Sequence, residues 1–325
     1  MEISRRTMLG AMGSVAASSA LIAVSGKISS ASAASAETAQ EKAKRMKIID
    51  VRMRPPFAPY VGKGRMFDKE SKSPLGIASF WSCFGAKMSD SMKEASMEKL
   101  FEEMDRVGDM LGVVSIRKND KGYENEELVG LLAKYPKRFV GACGFAPDGG
   151  DAAIATIQKY VVNGPCITVF LEPGFHGFHI DDKKIFPVYE FCQAKHIPML
   201  ISYGGFHGPT DEFCLPIHVQ NVVNNFPDLK LALCHACWPW VEAAVRLTFR
   251  NPNVYLSPDI YGMHSAGSQS YIEAANYMLR DKLLYGSAYP VVDVESSVAQ
   301  YLEKLRPEVV EDIMYNNAAR FLGLA

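Results

Sequence analysis

Clustered basic charge is missing from this sequence. Its 35 lysines and arginines face 36 aspartates and glutamates, for a formal net charge of −1. No run of Lys and Arg forms the positive stripe that a nucleic-acid surface requires. Strongly apolar runs are missing too. The mild run over residues 8–24 is diluted by Ala, Gly and Ser, which is too weak for a bilayer span of about 20 apolar residues. The seven cysteines (Cys83, Cys143, Cys166, Cys192, Cys214, Cys234 and Cys237) are odd in number. Most sit in apolar stretches, so buried thiols are expected and a disulfide framework is not. The sequence has no internal repeat and no low-complexity tract. No glycine-rich nucleotide turn follows its first apolar run, which weighs against a doubly wound sheet.

The N-terminus reads as a targeting segment. Ser4-Arg5-Arg6-Thr7-Met8-Leu9 sets paired arginines before the mild apolar run, and Ala31-Ser32-Ala33 offers a cleavage site. That order predicts a cleaved twin-arginine signal over residues 1–33, export to the periplasm and no stable membrane insertion afterwards. Removing residues 1–33, which carry Arg5, Arg6, Lys27 and Glu2, would leave 292 residues and shift the net charge from −1 to −3. Residues 34–46 are polar and read as a flexible lead-in. Residues 47–325 then suit a single barrel domain, which typically takes about 250 residues.

Short apolar runs alternate with helical periodicity from residue 47 onward. Strands are expected at 47–53, 111–117, 139–145, 167–171, 197–203, 230–235, 254–257 and 283–287. Helices are expected at 93–110, 125–135, 151–162, 186–195, 215–225, 240–250 and 270–280. Strand-like runs each followed by a helix predict a closed parallel (β/α)8 TIM barrel, an α/β fold. The irregular stretch 54–92 carries Phe57, Tyr60, Phe67, Phe80, Trp81 and Phe84. It is too long for an ordinary connection and suits a lid, a wall of the site or the interface of a homo-oligomer.

Several segments resemble the amidohydrolase-related family of metal-dependent barrels. Ile48-Ile49-Asp50-Val51-Arg52-Met53-Arg54 stands where that family opens with I-D-x-H-x-H. Tyr135-Pro136-Lys137-Arg138-Phe139-Val140-Gly141 is similar to its Y-P-x-R-F-x-G, and Glu98 to Asp105 is similar to its first helix. Asn225-Phe226-Pro227-Asp228-Leu229-Lys230 precedes Leu233-Cys234-His235, like the family's F-P-D-L-K before a strand-6 histidine. Gly286-Ser287-Ala288-Tyr289-Pro290 resembles its terminal G-S-D-Y-P.

The departures carry more information than the matches. By the resemblance, two first-strand histidines, a strand-5 histidine and a strand-8 aspartate hold a divalent metal. Here those positions are Arg52, Arg54, Ser202 and Ala288. A guanidinium has no lone pair for a metal, alanine has no ligand atom, and a lone serine is a poor ligand. The resemblance therefore implies a site without metal or other cofactor, in which the retained His235 still handles a proton.

Arg52 and Arg54 lie two apart on a strand and share a face. Paired there, they suit a clamp for the carboxylate of a small substrate, or else a core ion pair with Asp50 or Glu172. Glu172 at the end of strand 4 could activate water, orient substrate or serve as an arginine's partner. Ser202, Tyr203, Asp259 and Tyr289, with Tyr261, lie at or just after strand ends and could line the site.

Cys234-His235-Ala236-Cys237 is a C-x-x-C read as packing rather than redox or zinc chemistry. Cys234 is expected to face the helices, away from His235, with Cys237 nearer the site. His176, His179 and His207, in the loops after strands 4 and 5, suggest a displaced metal site as an alternative. The function expected is hydrolysis of a small carboxylated compound, a lactone among the candidates. Decarboxylation, isomerisation and an inactive barrel binding an anion or a partner protein remain open.

Overall fold

The computed structural model describes residues 46–57, 60–61, 81–117, 124–146 and 149–324. The signal and lead-in read from residues 1–45 lie outside them, as do Phe67 and Phe80. Seven parallel strands follow one another around a sheet: β1 (Lys47–Met53), β2 (Asp109–Ser115), β3 (Phe139–Gly144), β4 (Cys166–Leu171), β5 (Met199–Ser202), β6 (Leu231–Cys234) and β7 (Val254–Ser257). β5, β6 and β7 are buried at every position. Continuous apolar runs of this kind mark parallel strands covered on both faces.

The eighth position is filled by residues 283–287. Leu283 bridges Leu256 in parallel, and Leu284 N–H donates to the Leu256 carbonyl at 2.8 Å. On the other side, Val51 N–H donates to the Tyr285 carbonyl at 3.1 Å and Arg54 N–H to the Tyr289 carbonyl at 3.0 Å. The barrel is thereby closed between β7 and β1. A full ladder does not form because Asp50 intervenes. Its carboxylate takes the Ser287 N–H at 3.1 Å and the Ser287 hydroxyl at 2.5 Å, replacing main-chain partners.

Helices lie between successive strands. The single helix expected over 93–110 is instead α1 (Asp90–Glu94) and α2 (Met97–Val107). Ala95 turns left-handed at φ 50°, and the Ser96 hydroxyl then caps the Lys99 N–H. Such a residue ends one helix while a serine starts the next. The next helices are α3 (Asn125–Lys134), α4 (Asp151–Ile157), α5 (Phe186–Ala194), α6 (Pro216–Asn225) and α7 (Val241–Arg250), and the last is the C-terminal helix Asn317–Leu322.

Two apolar layers result. The outer one packs strand residues such as Val114, Val169, Ile201 and Leu233 against the helices. The inner one holds Ile49, Val113, Phe170, Leu200 and Ala232, and Ala318, Ala319, Phe321 and Leu322 pack against it with Leu111, Val140 and Ile167. The C-terminal helix thus seals the end where the strands begin. Polar side chains gather at the other end. No helix among the described residues is long and apolar enough to cross a membrane.

Candidate functional site

β1 delivers both arginines to the strand C-terminal end, where a bulge between Asp50 and Met53 shifts its register. The Arg52 N–H donates to Asp50 Oδ1 at 2.9 Å, while its guanidinium crosses the barrel. Nη2 donates to Ser202 Oγ at 3.0 Å and lies 3.3 Å from His235 Nε2. The guanidinium carbon sits 4.8 Å from the centre of the Phe170 ring, a stacking contact that orients the plane. Gly286 lets it pass: a Cβ there would stand 3.2 Å from Arg52 Cβ and 2.7 Å from Ser257 Oγ. Arg54 Nη2 donates to the Ala288 carbonyl at 2.8 Å.

Neither arginine has a carboxylate partner among the described residues. Asp50 is committed to Ser287, and Glu172 Oε2 accepts instead from Arg117 Nε at 2.7 Å. Arg52 and Arg54 are 3% and 4% exposed, yet Arg52 Nε, Arg52 Nη1 and Arg54 Nε find no acceptor. Burial, followed by repulsion from Arg52 and Arg117, lowers Arg54 to about 9, so it stays charged at neutral pH. Three buried donors without acceptors are costly, because each forfeits its hydration for nothing.

His235 follows β6 at a left-handed φ of 66°, with Ala236 and Cys237 at 46° and 63°. The expectation for Cys234 is corrected here. Alternation of side chains holds only along extended backbone. Leu231 and Leu233 pack in the outer layer and Ala232 in the inner one, so alternation itself sends Cys234 inward with Phe170 and Leu200, and the left-handed step at His235 keeps the imidazole on that same side. Cys237 is buried in the outer layer. Cys166, Cys192 and Cys214 are likewise buried free thiols, and Cys83 is exposed.

Asp259 stands behind the imidazole. Its Oδ1 is 2.6 Å from His235 Nδ1 and 2.6 Å from the Ile260 N–H, and its Oδ2 accepts the His235 N–H at 3.1 Å. Arginine can only donate, so a contact from Arg52 requires a lone pair on Nε2. That places the imidazole proton on Nδ1, donated to Asp259. Burial, then the charges of Arg52 and Arg54, pushes His235 well below its usual range and keeps it neutral. Burial pushes Asp259 up to about 7 against the pull of Arg52 and its backbone donors. The His207 ring meets His235 edge-on at 4.7 Å, and Tyr261 does so at 5.5 Å. Burial and His235 lower His207 as well.

Glu172 is an arginine's partner, though the arginine is Arg117. Burial works to raise its pKa, but Arg117 overrides this and holds the carboxyl down at about 2. A carboxylate so stabilised is a weak base. Two expected lining residues turn away from the site. The Tyr203 hydroxyl donates to the Leu215 carbonyl at 3.0 Å and Tyr289 meets Ser91 Oγ at 2.8 Å, both side chains packing in the outer layer. Ser202 points inward onto Arg52, and Asp259 supports His235 rather than facing a substrate. The three loop histidines do not converge: His207 meets His235, His176 lies beside Phe178, and His179 stacks on His218. Arg117 went unnoticed in the sequence, although its place at the end of the second apolar run was a usable signal.

The donor types do not fit the family's metal. Arg52 and Arg54 are cations, Ser202 is already an acceptor for Arg52, and only the backbone of Ala288 presents an oxygen, to Arg54.

The amidohydrolase family profile matches residues 85–324. A TIM-barrel protein from Bordetella bronchiseptica is 31% identical, with a TM-score of 0.78 over 86% of this chain and 99% of that one. A dihydroxybenzoic acid decarboxylase from Polaromonas sp. JS666, solved with bound manganese and the inhibitor 2-nitroresorcinol, is 15% identical. Its TM-score is 0.60, over 86% of this chain and 97% of that one. A curated 2-amino-3-carboxymuconate-6-semialdehyde decarboxylase from Dictyostelium discoideum is 20% identical over 236 residues, covering 62% of this chain and 66% of that protein. The match therefore spans just under two thirds of that relative's length.

Proposed function

The chain belongs to the amidohydrolase family, and we propose that it is a divergent member in which the Arg52 guanidinium takes over the metal's electrostatic role. The observation that carries this reading is the line Arg52–His235–Asp259. A cation donates to Nε2 at 3.3 Å while a carboxylate holds Nδ1 at 2.6 Å. The substrate is a small carboxylated compound. Its carboxylate would take the open donors of Arg52 and Arg54, which match carboxylate geometry bidentately. Drawing Arg52 towards the ligand frees the Nε2 lone pair.

In hydrolysis, Nε2 removes a proton from water and the hydroxide oxygen adds to the carbonyl carbon. The carbonyl oxygen gathers negative charge beside the guanidinium. Collapse breaks the bond to the leaving oxygen, which takes the proton back from Nε2. Asp259 keeps the ring oriented and offsets its charge in between.

Decarboxylation is the second reading, and the relatives favour it. The curated relative and the Polaromonas structure are both named as decarboxylases of carboxylated compounds. The same imidazole would then move a proton at the carbon that loses carbon dioxide. Turnover by the purified chain on lactones and aromatic carboxylates, with chelator present, tests both. Activity abolished in His235→Ala supports the reading, and no turnover on either class overturns it.

The paired arginines and the Ala31-Ser32-Ala33 site support export of the folded protein to the periplasm. Folding before export suits a chain with thiols buried in both layers.

A further inference from the structure

The loops after β4 and β5 gather a second set of ligating side chains away from the arginines. His179, Glu212 and His218 each place a ligand atom within 4.8 Å of the others. His179 lies in the loop after β4, Glu212 in the turn Asp211–Cys214, and His218 in the first turn of α6. The His179 ring stacks on Phe213 at 4.4 Å and on His218 at 4.3 Å, with interplanar angles of 13° and 25°. Its Nδ1 is buried without a partner.

The next shell is also in place. His218 Nδ1 lies 3.0 Å from the Asp181 carboxylate, which accepts a further bond from Asn221 Nδ2 at 2.7 Å. A carboxylate holding Nδ1–H fixes the ring and leaves Nε2 as the donor atom, the arrangement that ligating histidines use. Two imidazoles and one carboxylate suit a borderline cation in tetrahedral geometry with one open position.

We propose that His179, Glu212 and His218 bind one divalent ion of the zinc type, with Asp181 as a positioning residue for His218. The ion would tie the β4 loop to the segment after β5. That segment carries His207, which abuts His235, so loading would stiffen one wall of the central site. The proposal uses none of the residues assigned to proton transfer or to the carboxylate, and the two readings stand or fall separately.

Equilibrium dialysis of the full chain against Zn²⁺, counted by elemental analysis, tests it. About one ion per chain is expected. Glu212→Gln, whose side chain is exposed and whose folding is not at issue, should weaken binding at least about tenfold, and Asp181→Asn about 10–100-fold. His179→Ala combined with His218→Ala should abolish binding, and His235→Ala should leave it intact. Failure to bind zinc, binding that persists in the double variant, or binding lost in His235→Ala would each overturn the assignment.

Discussion

Arg52 Nη2 lies 3.3 Å from His235 Nε2 although the two residues are 183 positions apart. The contact decides the tautomer, because a donor-only group can meet only a nitrogen that carries a lone pair. It also places a fixed positive charge beside the proposed base.

Arg52→Met and Arg54→Met should each weaken binding of a small dicarboxylate by about 1.5–3 kcal/mol per charge-assisted bond lost. Both proteins should fold, since neither arginine has an acid to strand among the described residues and losing a buried cation relieves its desolvation. Thermal melts with and without the dicarboxylate check this. A parent that no anion stabilises, beside variants that melt far earlier, would make the arginines purely structural.

His235 acts as a base only when neutral, and Arg52 helps to depress its pKa. Removing that cation must raise it. In Arg52→Met the acidic limb of the rate profile should therefore move to higher pH than in the parent. An unmoved limb would show that another group controls the rate.

Asp259→Asn keeps the shape but loses the charge that holds Nδ1–H. By the usual worth of an assisted base, kcat should fall about 10²–10⁴-fold with KM little changed. A full-rate variant would remove Asp259 from the mechanism.

Glu172 gives a stability prediction. Its folded pKa of about 2 lies below the ordinary glutamate value of about 4.3. The stabilisation is present above that ordinary value and is lost as pH falls towards about 2. Arg117→Met should cost about 3–5 kcal/mol near neutrality by stranding a buried carboxylate. Denaturant unfolding across pH 2–7 should show the gap between parent and variant closing in acid. A pH-independent gap would contradict the ion pair.

The export proposal is tested by Arg5→Lys with Arg6→Lys, which should trap the protein in the cytoplasm. The mature parent should begin near Ala34. Normal export of the variant, or a mature chain that still begins at Met1, would exclude the signal.

What the sequence determined by itself was local. Apolar runs of strand length and helical periods announced the barrel, because burial pattern follows from residue type and spacing alone. Arg52, Arg54, Ser202 and Ala288 likewise excluded the family's ligand set, since a guanidinium cannot ligate a metal in any fold. Pairing was another matter. Glu172 and Arg117 are 55 residues apart, and His235 and Asp259 are 24 apart; only closing the barrel makes either pair adjacent. Cys234 and Tyr203 follow the alternation of β6 and β5, and only the closed barrel decides which alternate set faces inward and how the chain turns beyond the strand ends at His235 and Tyr289. A left-handed residue or a side-chain hydrogen bond sets those turns, and both depend on neighbours that arrive from distant strands.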